Sequence, residues 1–249
     1  MRVENSFIAA EGVGPATERS LWADGVHHWD DFDTDYLGEK TGRRVADYIE
    51  TGRARLESGD ASFFAETLPS GELWRAYENF ADGACFFDIE TTGLDAATND
   101  VTTVSFHRSD GTRTLVRGDD LTRETVRAEL DSADLLVSFN GKRFDVPFLA
   151  QSFDLDVTTP HLDLMYTCKK LDLSGGLKAI ESDLGLERDG VEDVDGREAV
   201  RLWKRYEREN DEAALDRLVT YNRYDAENLR ALADRVTSDL HEETFVPHR

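Results

Sequence analysis

The chain has 249 residues, of which 39% are apolar, and a formal net charge of -23 from 52 acidic and 29 basic side chains. That length and apolar content allow one sizeable domain plus a smaller one. No run of about 18 apolar residues is present, which excludes a membrane-spanning helix. The N-terminal MRVENSFIAAEG lacks the basic and apolar regions of a secretory signal, so a cytoplasmic protein is expected, with no obligate protein partner evident. Only six of the basic residues are lysine. The acidic excess with scarce lysine fits a halophilic protein, because at about 1 M salt the Debye length is roughly 3 Å and self-repulsion is screened. The bland alternative is an ordinary acidic protein.

Residues 1–80 read as a helical region. In FIAAEGVGPATERSLWADGV the turn Gly12-Val13-Gly14 precedes Pro15 and a helical pattern through Leu21 and Trp22. A glycine turn between two short helices is either a helix-hairpin-helix, whose open amides attract phosphate, or a structural hairpin. Further helices are expected over 41–58 and 60–80, where Val45, Tyr48, Ile49, Phe63, Phe64, Leu68, Leu73, Trp74 and Tyr77 recur near a 3.6 period.

A second domain is expected over 81–240. ACFFDI reads as a buried strand, with Cys85 as a core residue; Cys85 and Cys168 have no metal-ligand spacing and form no disulfide framework. VTTVSFHR and TRTLVRG follow as strands joined by an Asp-Gly turn. LTRETVRAEL is a helix with Thr122 as a candidate cap. DLLVSF is another buried strand, FDVPFLAQSF opens a helix that tolerates Pro147 in its first turn, and HLDLMY offers a fifth short strand. LKAIESDLG, GREAVRLWKRYERE and EAALDRLVTYNRYDAENLRALADRV read as helices, and residues 241–249 as a loose tail. The order β-β-β-α-β-α-β-α is the outline of an α/β, RNase H-like fold: a mixed five-stranded sheet flanked by helices.

Carboxylates mark the ends of these elements. Asp88 and Glu90 lie two apart at the end of the first strand, so both point to one face. Close pairing of two such groups needs a cation between them. Asp145 follows the fourth strand; if that strand runs parallel beside the first, Asp145 meets the pair. Tyr221 and Asp225 are four apart on the last helix, hence on one face. Oxygen ligands without His or Cys select Mg²⁺ or Mn²⁺, and two such ions can clamp a phosphodiester. Each acid alone could be a turn or cap residue; the joint pattern carries the reading. Asp163 is either a nearby supporting acid or a strand-end residue, and His161 reads as packed or surface. GLERDGVEDVDG reads as a solvated loop, its spacing unlike a calcium loop.

DIETTGL, NGKRFDVPFL and YNRYD, in this order, resemble the three motifs of the DEDDy exonucleases of the RNase H-like superfamily. The nearest likeness is to the YprB-like predicted exonucleases, here with the composition of a halophilic archaeon. The proofreading domains of family B DNA polymerases share a similar NxxxFDxPFL stretch. The resemblance covers about residues 84–235 and implies 3′-5′ hydrolysis of nucleic acid, DNA or RNA, with two divalent cations, Mg²⁺ or Mn²⁺. Asp88, Glu90, Asp145 and Asp225 match the four metal-binding acids. Asp88 would bridge both ions, Glu90 and Asp225 would hold the one that binds the attacking water, and Asp145 would act through the other. Tyr221 matches the tyrosine that orients the water. Thr91, Gly93, Leu94, Asn140 and Phe144 match positions that hold the terminal nucleotide.

An acidic chain must still hold an acidic substrate. Lys142, Lys169, Lys170, Lys178 and Lys204 fall between the second and third motifs and, with Arg143, Arg201, Arg205 and Arg223, could supply a phosphate track. Lys169 and Lys170 are its candidate centre; chance placement on solvated helices is the alternative. Two other functions stay open: a nucleic-acid-binding module with an inactive RNase H-like domain, and a structure-selective endonuclease.

Overall fold

The computed structural model describes residues 1–186 and 188–249. Two compact units emerge: Met1–Asp82 together with Asp234–Arg249, and Gly83–Ala233.

The first unit is helical: α1 (Pro15–Ala23), α2 (Glu39–Glu57), α3 (Ala61–Thr67) and α4 (Tyr77–Phe80), joined by 3-10 turns. Gly14 precedes α1 as its N-cap and Pro15 takes the first helical position, where a missing N–H costs nothing. Before this turn the chain has only the 3-10 turn Val3–Asn5, followed by turns and a bend over residues 8–12, so no second α-helix pairs with α1 across the glycines. The cause is Glu18 in α1. Its carboxylate accepts the N–H groups of Phe7 and Ile8 at 2.8 and 3.0 Å and folds the N-terminal segment back on the helix. The C-terminal residues also differ from the loose tail expected: Phe245 is 3% exposed and packs edge-on against Trp22 with centroids 5.2 Å apart.

The second unit holds a five-stranded mixed sheet in the order β3-β2-β1-β4-β5, flanked by helices as expected. Its strands are β1 (Ala84–Thr91), β2 (Val101–Arg108), β3 (Gly111–Val116), β4 (Leu135–Ser138) and β5 (His161–Asp163). Its helices are α5 (Arg123–Asp131), α6 (Asp145–Phe153), α7 (Leu164–Lys170), α8 (Leu177–Leu184), α9 (Gly196–Glu209) and α10 (Glu212–Thr244), which continues into the first unit's residues. β1 pairs antiparallel with β2 and parallel with β4. Thr122 caps α5, its side chain accepting the N–H of Thr125 at 3.2 Å.

Alternation along β1 divides the sheet chemically. Phe87 and Ile89 sit opposite Phe106 and Val104. They bury with Val126 and Leu130 of α5 and Phe148 and Leu149 of α6. Each such side chain contributes about 1.5–3 kcal/mol on burial. Asp88 and Glu90 take the other face, opposite Ser105 and Thr103. HLDLMY is a strand only to Asp163, whose side chain accepts the N–H of Met165 and turns the chain into α7. The acidic stretch 185–196 is not a solvated loop throughout: Arg188, Val191 and Val194 are buried, the valines against Leu202 and Trp203 of α9 and Leu218 of α10.

Candidate active site

Three local devices deliver carboxylates to the end of β1. Strand alternation aims Asp88 and Glu90 to one side, and just beyond them a register irregularity between Glu90 and Thr91 shifts the pairing with β2, so that Thr91 meets Val101. Asp145, the first residue of α6, is buried. It takes the backbone N–H of Ile89, beyond the last residue that β4 pairs with β1. One turn of α10 separates Tyr221 from Asp225, and the phenol donates a hydrogen bond to that carboxylate.

Asp88, Glu90 and Asp225 each offer an oxygen, and these atoms all lie within 4.8 Å of one another. Asp145 stands outside that trio and lines the same cleft as Asp88 and Glu90. Burial first, then mutual repulsion with Asp225 and Asp145, raises Asp88 and Glu90 well above the usual carboxylate range. Burial likewise pushes Asp145 up to about 7, against backbone N–H groups that hold it down. Asp225 is pushed up to about 6 by burial, opposed by Arg188. The phenol of Tyr221 is raised by burial and by Asp225, Glu90 and Asp88, so it keeps its proton. Such a surplus of close oxygens, without nitrogen or sulfur donors, fits a hard divalent cation.

Two residues that sequence reasoning missed hold these acids in place. Asn222 is fully buried and donates to Asp88 Oδ2 at 2.8 Å, while its own oxygen accepts from Ser105 Oγ at 2.9 Å. Its signal was an amide on a helix face that otherwise packs against the sheet. Arg188 is 5% exposed and pairs with Asp225. It also pairs with buried Glu181, at 2.6 Å from Nε and 2.5 Å from Nη2, and covers the Tyr221 ring at 5.5 Å. Nothing in the spacing of GLERDGVEDVDG separates this arginine from a surface one.

The cleft has a volume of about 720 Å³ and is lined by Asp88–Leu94, Phe139, Asn140, Phe144 and Asp145 and by the start of α9. Thr91, Gly93, Leu94, Asn140 and Phe144 thus gather at the acids. Leu94 is 87% exposed, and Thr91 Oγ1 donates to the Gly93 carbonyl at 2.6 Å. A Cβ at Gly93 would lie 2.4 Å from Asn99 Oδ1, so any larger residue there would have to displace the Asn99 side chain. Asn140 adopts a left-handed φ of 65°, secured by its N–H bonding Asp163 Oδ1 at 2.7 Å. Asp163 also accepts from Lys142 N, so it is the buried strand-end residue that shapes this loop. His161 is packed, its Nε2 2.7 Å from Ser138 Oγ.

Lys169 and Lys170 are not brought to the cleft. They form the last turn of α7, where positive charge suits the exposed carbonyls, and Lys169 lies over the Tyr166 ring at 5.5 Å. Lys178 instead bonds the carbonyls of Glu192 and Val194. The cations that line the cleft are Arg197, Arg201 and Lys204.

A family model described as RNase_H superfamily matches residues 85–237. No curated protein matches the chain. A family B DNA polymerase from the hyperthermophilic archaeon Pyrobaculum calidifontis is similar to 66% of the chain, with a TM-score of 0.51 and 19% identity; the match spans 25% of that polymerase. A nuclease in its apo form matches 67% of this chain and 77% of its own, at 22% identity and a TM-score of 0.48. Brucella melitensis NrnC bound to pGG matches 69% and 80% respectively, at 18% identity and a TM-score of 0.43. No helix among the described residues is long and apolar enough to cross a membrane.

Proposed function

Because the chain belongs to the RNase H superfamily, we propose that it is a metal-dependent 3′-5′ exonuclease of the DEDDy type, acting on nucleic acid. The observation that carries this reading is the meeting of Asp88, Glu90 and Asp225 within 4.8 Å, with Tyr221 bonded to Asp225. Asp88, Glu90 and Asp225 would hold one divalent cation, and Asp145 with Asp88 a second, Mg²⁺ or Mn²⁺. Bound there, the cations supply positive charge to the phosphoryl oxygens and lower the pKa of water.

The chain's own groups do the rest. Tyr221, kept protonated by its anionic neighbours, orients the attacking water rather than deprotonating it. Asn222 and Arg188 keep Asp88 and Asp225 in register. Thr91, Gly93, Leu94, Asn140 and Phe144 seat the terminal nucleotide. Water oxygen bonds to phosphorus and its proton passes to solvent. The 3′-oxygen of the penultimate nucleotide leaves with the bonding pair and is protonated, releasing a nucleoside 5′-monophosphate. The acidic, lysine-poor composition supports a halophilic protein, so the assay belongs in high KCl.

The test uses 5′-labelled single-stranded and duplex DNA and RNA with Mg²⁺ or Mn²⁺. A ladder of fragments shortened from the 3′ end, lost in Asp145→Ala, is expected. Discrete internal cuts would make the protein an endonuclease, and binding without cleavage would make it a recruitment module.

A further inference from the structure

The cleft has one cationic wall. Arg197, Arg201, Lys204 and Arg208 recur at i, i+4, i+7 and i+11 on α9, and all four are exposed. At about 100° per residue they share an arc of roughly 60°. The apolar side of α9, Ala199, Leu202 and Trp203, is buried on the opposite arc. Three of the four cations line the same cavity as Asp88, Glu90 and Asp145. Arg201 pairs with Glu198 at 3.0 Å. Among the described residues, Arg197, Lys204 and Arg208 form no ion pair within 4.0 Å. Some exposed arginines elsewhere do pair, Arg113 with Asp120 and Glu129 and Arg205 with Asp211, while Arg19, Arg127 and Arg143 are exposed without an ion pair among the described residues but stand on separate segments. In a chain with a net charge of -23, what sets this helix apart is the alignment: four cations on one face, three of them without an ion pair, with three of the four lining a carboxylate site.

We propose that this face of α9 is the phosphate track for a single nucleic-acid strand leading away from the site. The inference rests on the nuclease reading for its substrate class, and it replaces Lys169 and Lys170 as the cationic contact. Apart from the carboxylates, the rest of the lining is uncharged and includes Leu94, Phe139, Asn140 and Phe144. Phosphates on one side and apolar or aromatic groups for bases on the other suit one strand; a duplex presents two phosphate rails. From residue 197 to 208 the helix rises about 16 Å. At about 3.4 Å per nucleotide in a helical strand, and more in an extended one, that spans roughly three to five nucleotides.

The experiment is fluorescence anisotropy of 5′-fluorescein-labelled dT12 from 0.2 to 2 M KCl, in the Asp145→Asn background with Mg²⁺ present. Circular dichroism at each salt concentration confirms folding. Each phosphate contact contributes about 0.7 to the slope of log K against log salt for a single strand. The triple variant R197Q/R201Q/K204Q is therefore expected to flatten the slope by about 2. It should weaken dT12 more than a blunt 12-base-pair duplex, and R197K/R201K should restore the slope. K169Q/K170Q, outside the cleft lining, serves as the charge-removal control and should leave the slope unchanged. An unchanged slope in the triple variant, or equal flattening in the control, overturns the track. So does tighter binding of the duplex than of dT12. Cleavage by the unmodified chain is scored separately: a 3′ ladder with an unchanged triple-variant slope removes the track alone. A flattened slope without any cleavage removes the nuclease reading and leaves a single-strand-binding face.

Discussion

Each unit of this chain buries an arginine among carboxylates, and the two clusters are built to opposite ends. In the first unit Arg75 Nη1 meets Glu18 Oε2 at 3.0 Å and Ser6 Oγ at 3.1 Å, and its Nε meets Glu72 at 2.6 Å. The second oxygen of Glu18 accepts from Ser6 Oγ and from two backbone N–H groups. The guanidinium also lies over Trp22 and Trp74, at 6.0 and 5.3 Å. Here donors and acceptors match, and the network ties the N-terminal segment to its helices. In the second unit one guanidinium, Arg188, faces Asp225 and Glu181, with Asp88, Glu90 and Asp145 close by. That cluster gathers more carboxylates than the cations among the described residues can balance. A balanced buried network holds a fold together; an unbalanced one has room for cations from outside.

The contrast can be broken most sharply in the first unit. Arg75→Met leaves Glu18 buried and unpaired, and should cost about 3–5 kcal/mol of stability. Chemical denaturation would measure it, and Mn²⁺ should not restore the loss. A variant recovered by Mn²⁺ would erase the distinction between the two clusters.

A smaller effect is expected from Asn222→Ala. It removes the amide that aligns Asp88 without touching the carboxylates. Groups that orient metal ligands commonly matter by about 10- to 100-fold in affinity or activity. Mn²⁺ titration followed by electron paramagnetic resonance should show weaker binding of that order, with the fold intact by circular dichroism. Equal Mn²⁺ affinity in both proteins would reduce Asn222 to a packing residue.

The gentlest probe is pH. Without added cations, Asp145 is raised from an ordinary 3.8 to about 7 and Asp225 to about 6. Between the unfolded and folded values the folded state binds the extra proton, so folding is favoured at low pH. The favourable contribution is complete below about pH 4 and is lost as pH rises toward about 7, by up to about 1.4 kcal/mol per pH unit for each proton. The melting temperature of cation-free protein, relative to Asp145→Asn, should thus decline from pH 4 to 7. Mn²⁺ should flatten the decline. A difference that grows with pH would show that burial and mutual repulsion do not raise these acids in the folded protein.

Much of this was legible in the chain itself. The sheet strands announced themselves by apolar runs and an Asp-Gly turn, and the placement of Asp88 and Glu90 on one strand face, or Tyr221 and Asp225 on one helix face, follows from local period alone. The basic stripe on α9 was equally periodic. Lys204 and Arg201 already stood among the candidate cations, but grouping by segment rather than by helical phase left out Arg197 and Arg208 and favoured Lys169 and Lys170, which end α7 outside the cleft lining. The N-terminal glycine turn was misleading because its partner is not a second helix but a carboxylate eleven residues on, Glu18, bonded to Phe7 N.

What the sequence by itself determined is the inventory: which side chains bear charge, and which of them share a strand or helix face, since both depend on spacings of a few residues. Tertiary structure alone decided that Asp145 meets Ile89, that Asn222 reaches Asp88 across 134 positions, and that one arginine in an acidic stretch turns inward to Asp225. Those meetings depend on how sheet and helices pack over long separations, and no short-range pattern in the chain encodes that distance.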